Sequence, residues 1–176
     1  DVSLVGSEMC IRDSEYTSSV SLGGDQVTND LAQALKTSTN NAEELKIRYG
    51  CVTSVFENDD VIEVPGVGDR PARSVRKKTI VQVMSDRYQE IFTFVKEKIQ
   101  QSGFEDRIPA GIILTGGSSK TEGIEDLAEE VFHTQVRVGI PEHIYGGSED
   151  IIKNPEYAAC VGLLICLLYT SPSPRD

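Results

Sequence analysis

The sequence predicts an α/β fold, because two similar local patterns recur around one long helix. Residues 16–35 and residues 110–132 each begin with a short β-forming run, continue through a pair of glycines and end in a segment with the apolar spacing of an amphipathic helix. Residues 79–102 carry apolar side chains at helical spacing on one face and charged side chains on the opposite face. Strands that alternate with helices are typical of α/β domains.

The second of these patterns contains the most informative loop. Its apolar run at 110–114 lacks period-two alternation, which predicts a strand covered on both faces, as in a parallel sheet. Gly116 and Gly117 follow; they permit positive φ and place no Cβ between the backbone and another molecule. Helix 124–132 comes next, so we expect its N-terminal amides to face the same place. The loop is either a ligand-binding turn or an ordinary connection in which the glycines are needed only for the backbone conformation of the turn.

The first pattern repeats this arrangement. A strand over residues 16–22 runs into Gly23 and Gly24, and a helix with polar and acidic residues in its first turn follows from Val27. Two such units in one chain favour a nucleotide or phosphate cleft more than either unit does alone. The alternative, that Gly23 and Gly24 only make the turn, has equal weight on the sequence.

A short helix at residues 42–50 places Glu43 and Lys46 three positions apart and therefore on one face. The two side chains can pair with each other in solvent, which is the default interpretation, or present an acceptor and a donor to a ligand. Asn40 or Asn41 is predicted to cap this helix.

The next segment predicts a small β structure. Residues 51–56 and 61–67 have strand composition, and the polar residues 57–60 between them are typical of a hairpin turn. Residues 70–78 form a basic run, which we interpret as a solvated loop that could contact an acidic partner.

Composition excludes several functional classes. The chain has 17 basic and 28 acidic residues and a net charge of −11, which argues against a general nucleic-acid binder. Away from the ends, the cysteines are Cys51 and Cys160, which predict neither a disulfide framework nor a metal site. His133 and His143 are far from any catalytic or ligating cluster and are interpreted as structural. The interior has no apolar run long enough to cross a bilayer, so we expect a soluble, cytosolic segment.

We expect both ends of the chain to be non-native. Residues 166–176 can be written in codons whose reverse complement encodes residues 4–13, and this DNA resembles a transposase sequencing adapter. Unrelated protein termini have no reason to encode each other's opposite strand. We therefore set residues 1–14 and 166–176 aside from fold reasoning, and the interior then keeps a net charge of −9, because the ends hold two basic and four acidic residues.

Several motifs of the interior together resemble one known family. They are GGDQVTNDLA at 23–32, AEELKIRYGC at 42–51, IEVPGVGDRPARS at 62–74, LTGGSSKTEG at 114–123, VFHTQVRVGIPE at 131–142 and NPEYAACVGLL at 154–164. The glycine loop resembles the adenosine motif of the actin-like ATPase superfamily, and AEELK resembles its AExxK helix. Within the superfamily, the combination is most similar to the FtsA family of bacterial cell-division proteins.

This resemblance implies the second half of the actin-like ATPase (ribonuclease H-like) α/β fold, a mixed sheet with helices and an inserted smaller subdomain. Subdomain 2A would comprise residues 15–36 and 108–165, and the smaller α/β subdomain 2B would comprise residues 37–107. The family's two phosphate loops, with the metal-binding Asp, and its membrane-targeting amphipathic helix have no counterpart in this sequence.

The resemblance also implies an ATP site, with Mg²⁺ in the full-length protein and weak or absent hydrolysis. Carried over by motif, the nucleotide contacts are Gly116 and Gly117 for the adenosine, Glu43 and Lys46 for adenine and ribose, and Gly23 and Gly24 near the nucleotide. No residue is assigned a catalytic role or a metal-binding role.

Family membership would also imply protein partners. Subdomain 2B of the family binds the C-terminal tail of the tubulin-like FtsZ, and we place that surface on Arg87, Glu90 and the neighbouring basic loop. Self-association into filaments and contacts with other division proteins are further expectations. The full-length protein would lie at the inner face of the cell membrane at the division site.

Two alternatives within the superfamily stay open on the sequence. A sugar kinase or exopolyphosphatase would use a carboxylate base, but no Asp lies at the end of a buried strand here. A PilM-like pilus-assembly protein would instead bind a peptide in the same cleft.

Overall fold

The computed structural model describes residues 2–7, 14–53, 60–68, 71–142 and 153–170. The strands are β1 (Val2–Ser7), β2 (Ser14–Val20), β3 (Val61–Val64), β4 (Arg73–Arg76), β5 (Ile112–Leu114) and β6 (Val136–Val138). The helices are α1 (Gly24–Leu35), α2 (Thr39–Tyr49), α3 (Lys77–Ser102), α4 (Ile124–Phe132) and α5 (Ala158–Thr170). Single 3₁₀ turns occur at Glu105–Arg107, Gly117–Lys120 and Pro155–Tyr157.

The described strands form three two-stranded ladders. β1 and β2 are antiparallel, β3 and β4 are antiparallel with Val61 opposite Arg76, and β5 and β6 are parallel with Ile112 opposite Val136. The parallel pairing of β5 agrees with its sequence, but its expected burial on both faces does not, because Ile113 is 55% exposed. Among the described residues, β6 is the one strand that pairs with β5.

Helix α3 is the central element of the described core. It contacts α1, α2, α4, β2 and β4. Its buried side chains follow the predicted helical stripe, and they are Ile80, Val81, Met84, Tyr88, Ile91, Phe92 and Val95. Phe92 is buried in this stripe, whereas Phe94 is exposed. Gly103 ends the helix in the left-handed conformation with φ 74°. The apolar faces of α1, α2, α4 and β3 join the same core.

The described part of the basic run, residues 71–78, consists mostly of regular structure and not of a loop. Residues 73–76 form β4, which pairs with β3, and α3 begins at Lys77. The Arg73 guanidinium donates to the backbone carbonyl of Leu35, so this side chain fastens the ladder to the end of α1. The proposed hairpin partner of β3 lies largely outside the described residues, and its first residue, Cys51, forms an isolated parallel bridge with Glu122.

The two ends that we set aside contribute to described elements. β1 lies within residues 1–14 and pairs with β2, and α5 continues into residues 166–170. The non-native origin of these ends stays a prediction. Across the described ranges, no helix combines the length and the apolar character that a bilayer crossing requires.

Gly123 allows the segment after α2 to pass close to the turn before α4. The Val52 amide donates to the Glu122 carbonyl at 2.9 Å, and Gly123 follows with φ 78°. A Cβ at Gly123 would lie 1.8 Å from Thr53 Oγ1 and 3.0 Å from the Thr53 backbone nitrogen. The two segments can approach this closely because residue 123 has no side chain.

We expect Gly123→Ala to lower the free energy of unfolding more than Gly103→Ala does. Both positions have similar positive φ values, 78° and 74°, so the left-handed conformation costs either alanine about 1 kcal/mol. At position 123 the crowding against Thr53 adds roughly 1–3 kcal/mol, whereas a Cβ at position 103 meets no atom within 4 Å. Urea denaturation of the two variants measures the difference. Equal losses would contradict the close approach at Gly123.

Candidate functional site

Three segments that are distant in sequence meet at the start of α1. A Cβ added to Gly24 would lie 2.6 Å from Ser118 Oγ, in the loop after β5, and 3.7 Å from Lys46 Nζ, on α2. The absence of a side chain at Gly24 therefore permits contact between α1, α2 and the glycine loop. We call this meeting point the Gly24 junction.

Helix α2 brings Glu43 and Lys46 to the junction because both lie along the same edge of its buried face. Ala42 and Leu45 are buried in the core, so Glu43 and Lys46, one position further along, lie at the edge of that face. The Ser38 hydroxyl caps the helix by accepting from the Asn41 amide at 3.3 Å. Neither Asn40 nor Asn41 is the cap, because the helix begins earlier than its apolar spacing indicates.

Glu43 and Lys46 form an ion pair that is only partly solvated. Lys46 Nζ lies 2.6 Å from Glu43 Oε2, and the side chains are 14% exposed for Lys46 and 43% exposed for Glu43. The default interpretation of a pair in open solvent is therefore wrong for Lys46. The ammonium group also donates to Thr28 Oγ1 at 2.8 Å and approaches the Gly24 carbonyl at 3.4 Å.

Burial raises the pKa of Glu43, but hydrogen bonds from Lys46 and Thr28, together with the positive charge of Lys46, outweigh it. The net effect holds the pKa below its ordinary value of 4.5. Glu43 is thus an ionised acceptor at neutral pH. The described contacts engage Oε2, and a carboxylate accepts hydrogen bonds at both oxygens.

The glycine loop presents an open stretch of backbone beside this pair. Gly116 has φ 94° and ψ 176°, and a Cβ there would meet no atom within 4 Å. The loop is fixed from behind, because the Gly116 amide donates to the Pro155 carbonyl at 3.0 Å and the buried Ser119 hydroxyl donates to the Gly116 carbonyl at 2.7 Å. A rigid, unobstructed backbone of this kind can receive a flat ligand.

Gly117 faces the segment that leads into α5. A Cβ at Gly117 would lie 3.5 Å from Glu156 Cγ, in ordinary contact. Glu156 pairs with Lys120 of the same loop at 3.3 Å and accepts from Asn154 Nδ2 at 3.2 Å. The Glu156 carboxylate therefore helps to hold the loop after β5 against the start of α5.

Gly23 and the start of α4 both have hydrogen-bond partners within the chain. The Gly23 amide donates to Gln26 Oε1 at 3.0 Å, and its φ of −163° is extended backbone. The placement of Gly23 near a nucleotide stays a prediction. Helix α4 begins after a 3₁₀ turn, and its Ile124 amide donates to the Thr121 carbonyl at 3.2 Å. That amide is therefore used within the chain and is not offered to a ligand at the glycine loop.

Arg87 and Glu90 lie elsewhere, in a groove between α1 and α3. Arg87 pairs with Asp30 of α1, and its Nη1 lies 2.7 Å from Glu90 Oε2. The hydrogen bond from Arg87 to Asp30 outweighs desolvation and raises the pKa of Arg87. The groove has a volume of about 390 Å³ and is lined by Asp30, Gln33, Ala34, Val83, Asp86, Arg87 and Glu90.

The basic residues that we placed beside this surface lie at different distances from it. Lys78 lies nine residues before Arg87 on α3, a distance of about 14 Å along a helix. Arg73 of β4 donates to the Leu35 carbonyl, and Leu35 follows the groove-lining Ala34 on α1. The groove and the Gly24 junction lie on different faces of α1. Thr28 and Asp30 are two positions apart on that helix and therefore point in different directions.

The sequence pointed to Gly24, Glu43 and Lys46, which the structure brings together. It did not single out Thr28, Ser118 or Glu156. A signal for Thr28 was present, because residues four apart share one face of a helix and Thr28 follows Gly24 by four. Contacts of Ser118 and Glu156 depend on how separate segments pack, and no local pattern marks them.

Comparisons with known proteins bear on this geometry. The sequence profile of the family described as cell division protein FtsA matches residues 4–162. The match begins within the end that we set aside as non-native. The chain is 48% identical over 151 residues to cell division protein FtsA of Pseudomonas aeruginosa and 40% identical over 157 residues to that of Escherichia coli strain K12. Each alignment covers 85% of this chain, and 36% and 37% of those relatives respectively, so the chain spans about a third of their length.

Solved structures show the fold. MreB5 of Spiroplasma citri bound to ADP superposes with a TM-score of 0.65 at 14% identity, covering 87% of this chain and 46% of that one. The same protein bound to AMPPNP gives a TM-score of 0.66, with the same identity and coverage. These likenesses show that the chain has an actin-like α/β fold. The profile match and the curated relatives together show that the chain belongs to the FtsA family of cell-division proteins.

Proposed function

We propose that this chain forms one wall of an ATP site in a bacterial cell-division protein that assembles into filaments and links the FtsZ ring to the membrane. The observation that carries the proposal is the Gly24 junction, where α1, the Glu43–Lys46 pair and the loop after β5 come into contact. The relatives are cell-division proteins by name, and the structurally similar MreB5 was solved with ADP and with AMPPNP.

The residues at the junction fit an adenine nucleotide. The open backbone at Gly116 suits the flat adenine ring of the adenosine, because a Cβ there would meet no atom within 4 Å. Gly117 follows in the same loop and lies against Glu156. The ionised Glu43 can accept hydrogen bonds from ribose hydroxyls, and Lys46 can donate to the nucleotide. Gly24 keeps the α1 backbone close to both. In this proposal Mg²⁺ accompanies the nucleotide and takes no ligand from the residues named here, and no residue of the chain has a catalytic role.

The groove between α1 and α3 is the proposed docking place of the FtsZ tail. Val83 and Ala34 give it an apolar lining, while Arg87 and the carboxylates Asp30 and Glu90 lie beside them. A peptide that inserts an apolar side chain and carries a carboxylate could exchange one of the internal partners of Arg87 for its own. Filament contacts, other division proteins and a location at the inner face of the membrane follow from the family and belong to the complete gene product.

We expect Lys46→Ala and Glu43→Gln each to weaken ATP binding by the complete gene product roughly tenfold. Lys46→Ala removes the donor, and Glu43→Gln keeps the shape of the side chain while removing its charge. Because the two groups contact each other, the double variant should lose less than the product of the single losses. Isothermal titration calorimetry with ATP measures the three dissociation constants.

Arg48→Ala is the matched control, because Arg48 is exposed on the same helix. It should bind ATP within twofold of the parent. If both Lys46→Ala and Glu43→Gln also bind ATP within twofold of the parent, the junction is not the nucleotide site.

We expect Arg87→Ala to weaken binding of an FtsZ tail peptide roughly tenfold, because it removes the charge at the centre of the groove. Fluorescence anisotropy with a labelled tail peptide measures the affinity for the complete gene product. Lys98→Ala removes the same charge from a position further along α3, where Lys98 contacts Gln101, and serves as the control.

Loss of Arg87 also leaves Asp30 without its partner, so the melting temperature of each variant must accompany the affinity. A folded Arg87→Ala protein that binds the peptide as the parent does would exclude this groove. A parent that does not bind the tail at all would contradict the proposed link to FtsZ.

A further inference from the structure

Thr28 lies under the Glu43–Lys46 pair and contacts both of its members. Its side chain belongs to α1, and the residue is 3% exposed. Lys46 Nζ donates to Thr28 Oγ1 at 2.8 Å, and the Thr28 hydroxyl donates to Glu43 Oε2. With the 2.6 Å contact between Lys46 and Glu43, the three groups close a triangle that joins α1 to α2.

We propose that the Thr28 hydroxyl is a positioning group, which holds Glu43 and Lys46 in the arrangement that receives the nucleotide. The inference rests on the proposed function of the Gly24 junction and adds a residue to it. Thr28 need not touch the ligand, because it acts through the two side chains that do.

Two acceptors lie within reach of the Thr28 hydroxyl, and the stronger of the two is the Glu43 carboxylate. Besides Glu43, the Gly24 carbonyl lies 3.1 Å from Thr28 Oγ1, in the contact that threonines often make one helical turn back. A hydroxyl carries one proton, so it can donate to only one of the two at a time. A hydrogen bond to an ionised carboxylate is stronger than one to a neutral carbonyl, and Lys46 Nζ also approaches the Gly24 carbonyl, at 3.4 Å.

A fixed anchor is needed because Glu43 and Lys46 have long, flexible side chains. Each samples several rotamers when unrestrained, and ordering them on binding would oppose affinity. Thr28 is β-branched and buried, so its own χ1 is restricted. Anchoring both side chains to it orders them before the nucleotide arrives.

The charge state of Glu43 provides an independent sign of this contact. The hydrogen bond from Thr28 is one of the interactions that lower the pKa of Glu43, after the larger and opposing effect of burial and beside the effect of Lys46. The groups that described contacts bring to the Glu43 carboxylate are Lys46 from its own helix and Thr28 from α1. Removing the hydroxyl should therefore raise the pKa, whereas a threonine that only fills space would leave it unchanged.

The test compares Thr28→Val, which keeps the shape and loses the hydroxyl, with Thr28→Ser, which keeps the hydroxyl. In the complete gene product, ATP affinity by calorimetry should fall roughly tenfold for Thr28→Val and stay within about threefold of the parent for Thr28→Ser. In the present chain, NMR titration of the Glu43 carboxyl should give a midpoint below 4.5 for the parent and a higher midpoint for Thr28→Val.

The outcomes separate this inference from the proposed function. If Lys46→Ala weakens ATP binding but a folded Thr28→Val does not, Thr28 is not a positioning residue and the nucleotide site stands. If neither Lys46→Ala nor Glu43→Gln weakens ATP binding, the proposed function itself fails. Should Thr28→Val not fold, the ATP affinity of Thr28→Ser and the Glu43 midpoint of the parent decide. A parent midpoint at or above 4.5, or a tenfold loss of affinity in a folded Thr28→Ser, would overturn the inference.

Discussion

The packing of the apolar face of α3 is the interaction on which the rest of the structure depends. Ile80 and Met84 are fully buried there, and α1, α2 and α4 all lie against this helix. Gly50 ends α2 so close to it that a Cβ would lie 2.9 Å from Met84 Cε, and the Tyr88 hydroxyl lies 3.3 Å from Thr121 Oγ1 before α4. Both walls of the Gly24 junction are thus positioned relative to one buried stripe, which burial of apolar surface stabilises.

Helix α1 contributes to both the Gly24 junction and the groove beside α3, because successive side chains on a helix point in different directions. Thr28 turns toward α2, while Asp30 turns toward α3 and pairs with Arg87. The nucleotide site and the peptide groove that we propose therefore share one helix without sharing residues. Gly24 completes the arrangement, since a side chain there would separate the α1 backbone from Ser118.

Local patterns predicted the helices well and the strand partners poorly. The apolar spacing predicted α3 at 79–102, and the structure has it at Lys77–Ser102. The prediction succeeds because the residues of one helical face lie three or four positions apart in the sequence. The pairing of β3 with β4 was missed because β4 lies within the basic run, whose composition suggested a solvated loop. In the site, the motifs located Gly24, Glu43 and Lys46, but the burial of Lys46 and the contact with Thr28 arise only when α1 packs on α2. Tertiary contacts of this kind leave no periodic trace in a sequence.

If α2 and the loop after β5 face one bound adenine nucleotide, a photoreactive group on the purine ring should label them. Photolabelling of the complete gene product with 8-azido-ATP, followed by peptide mass spectrometry, identifies the labelled segments. We expect label within residues 42–50 or 115–120, suppressed by excess ATP. Label that ATP suppresses but that maps only to other parts of the protein, with none in these two segments, would contradict it.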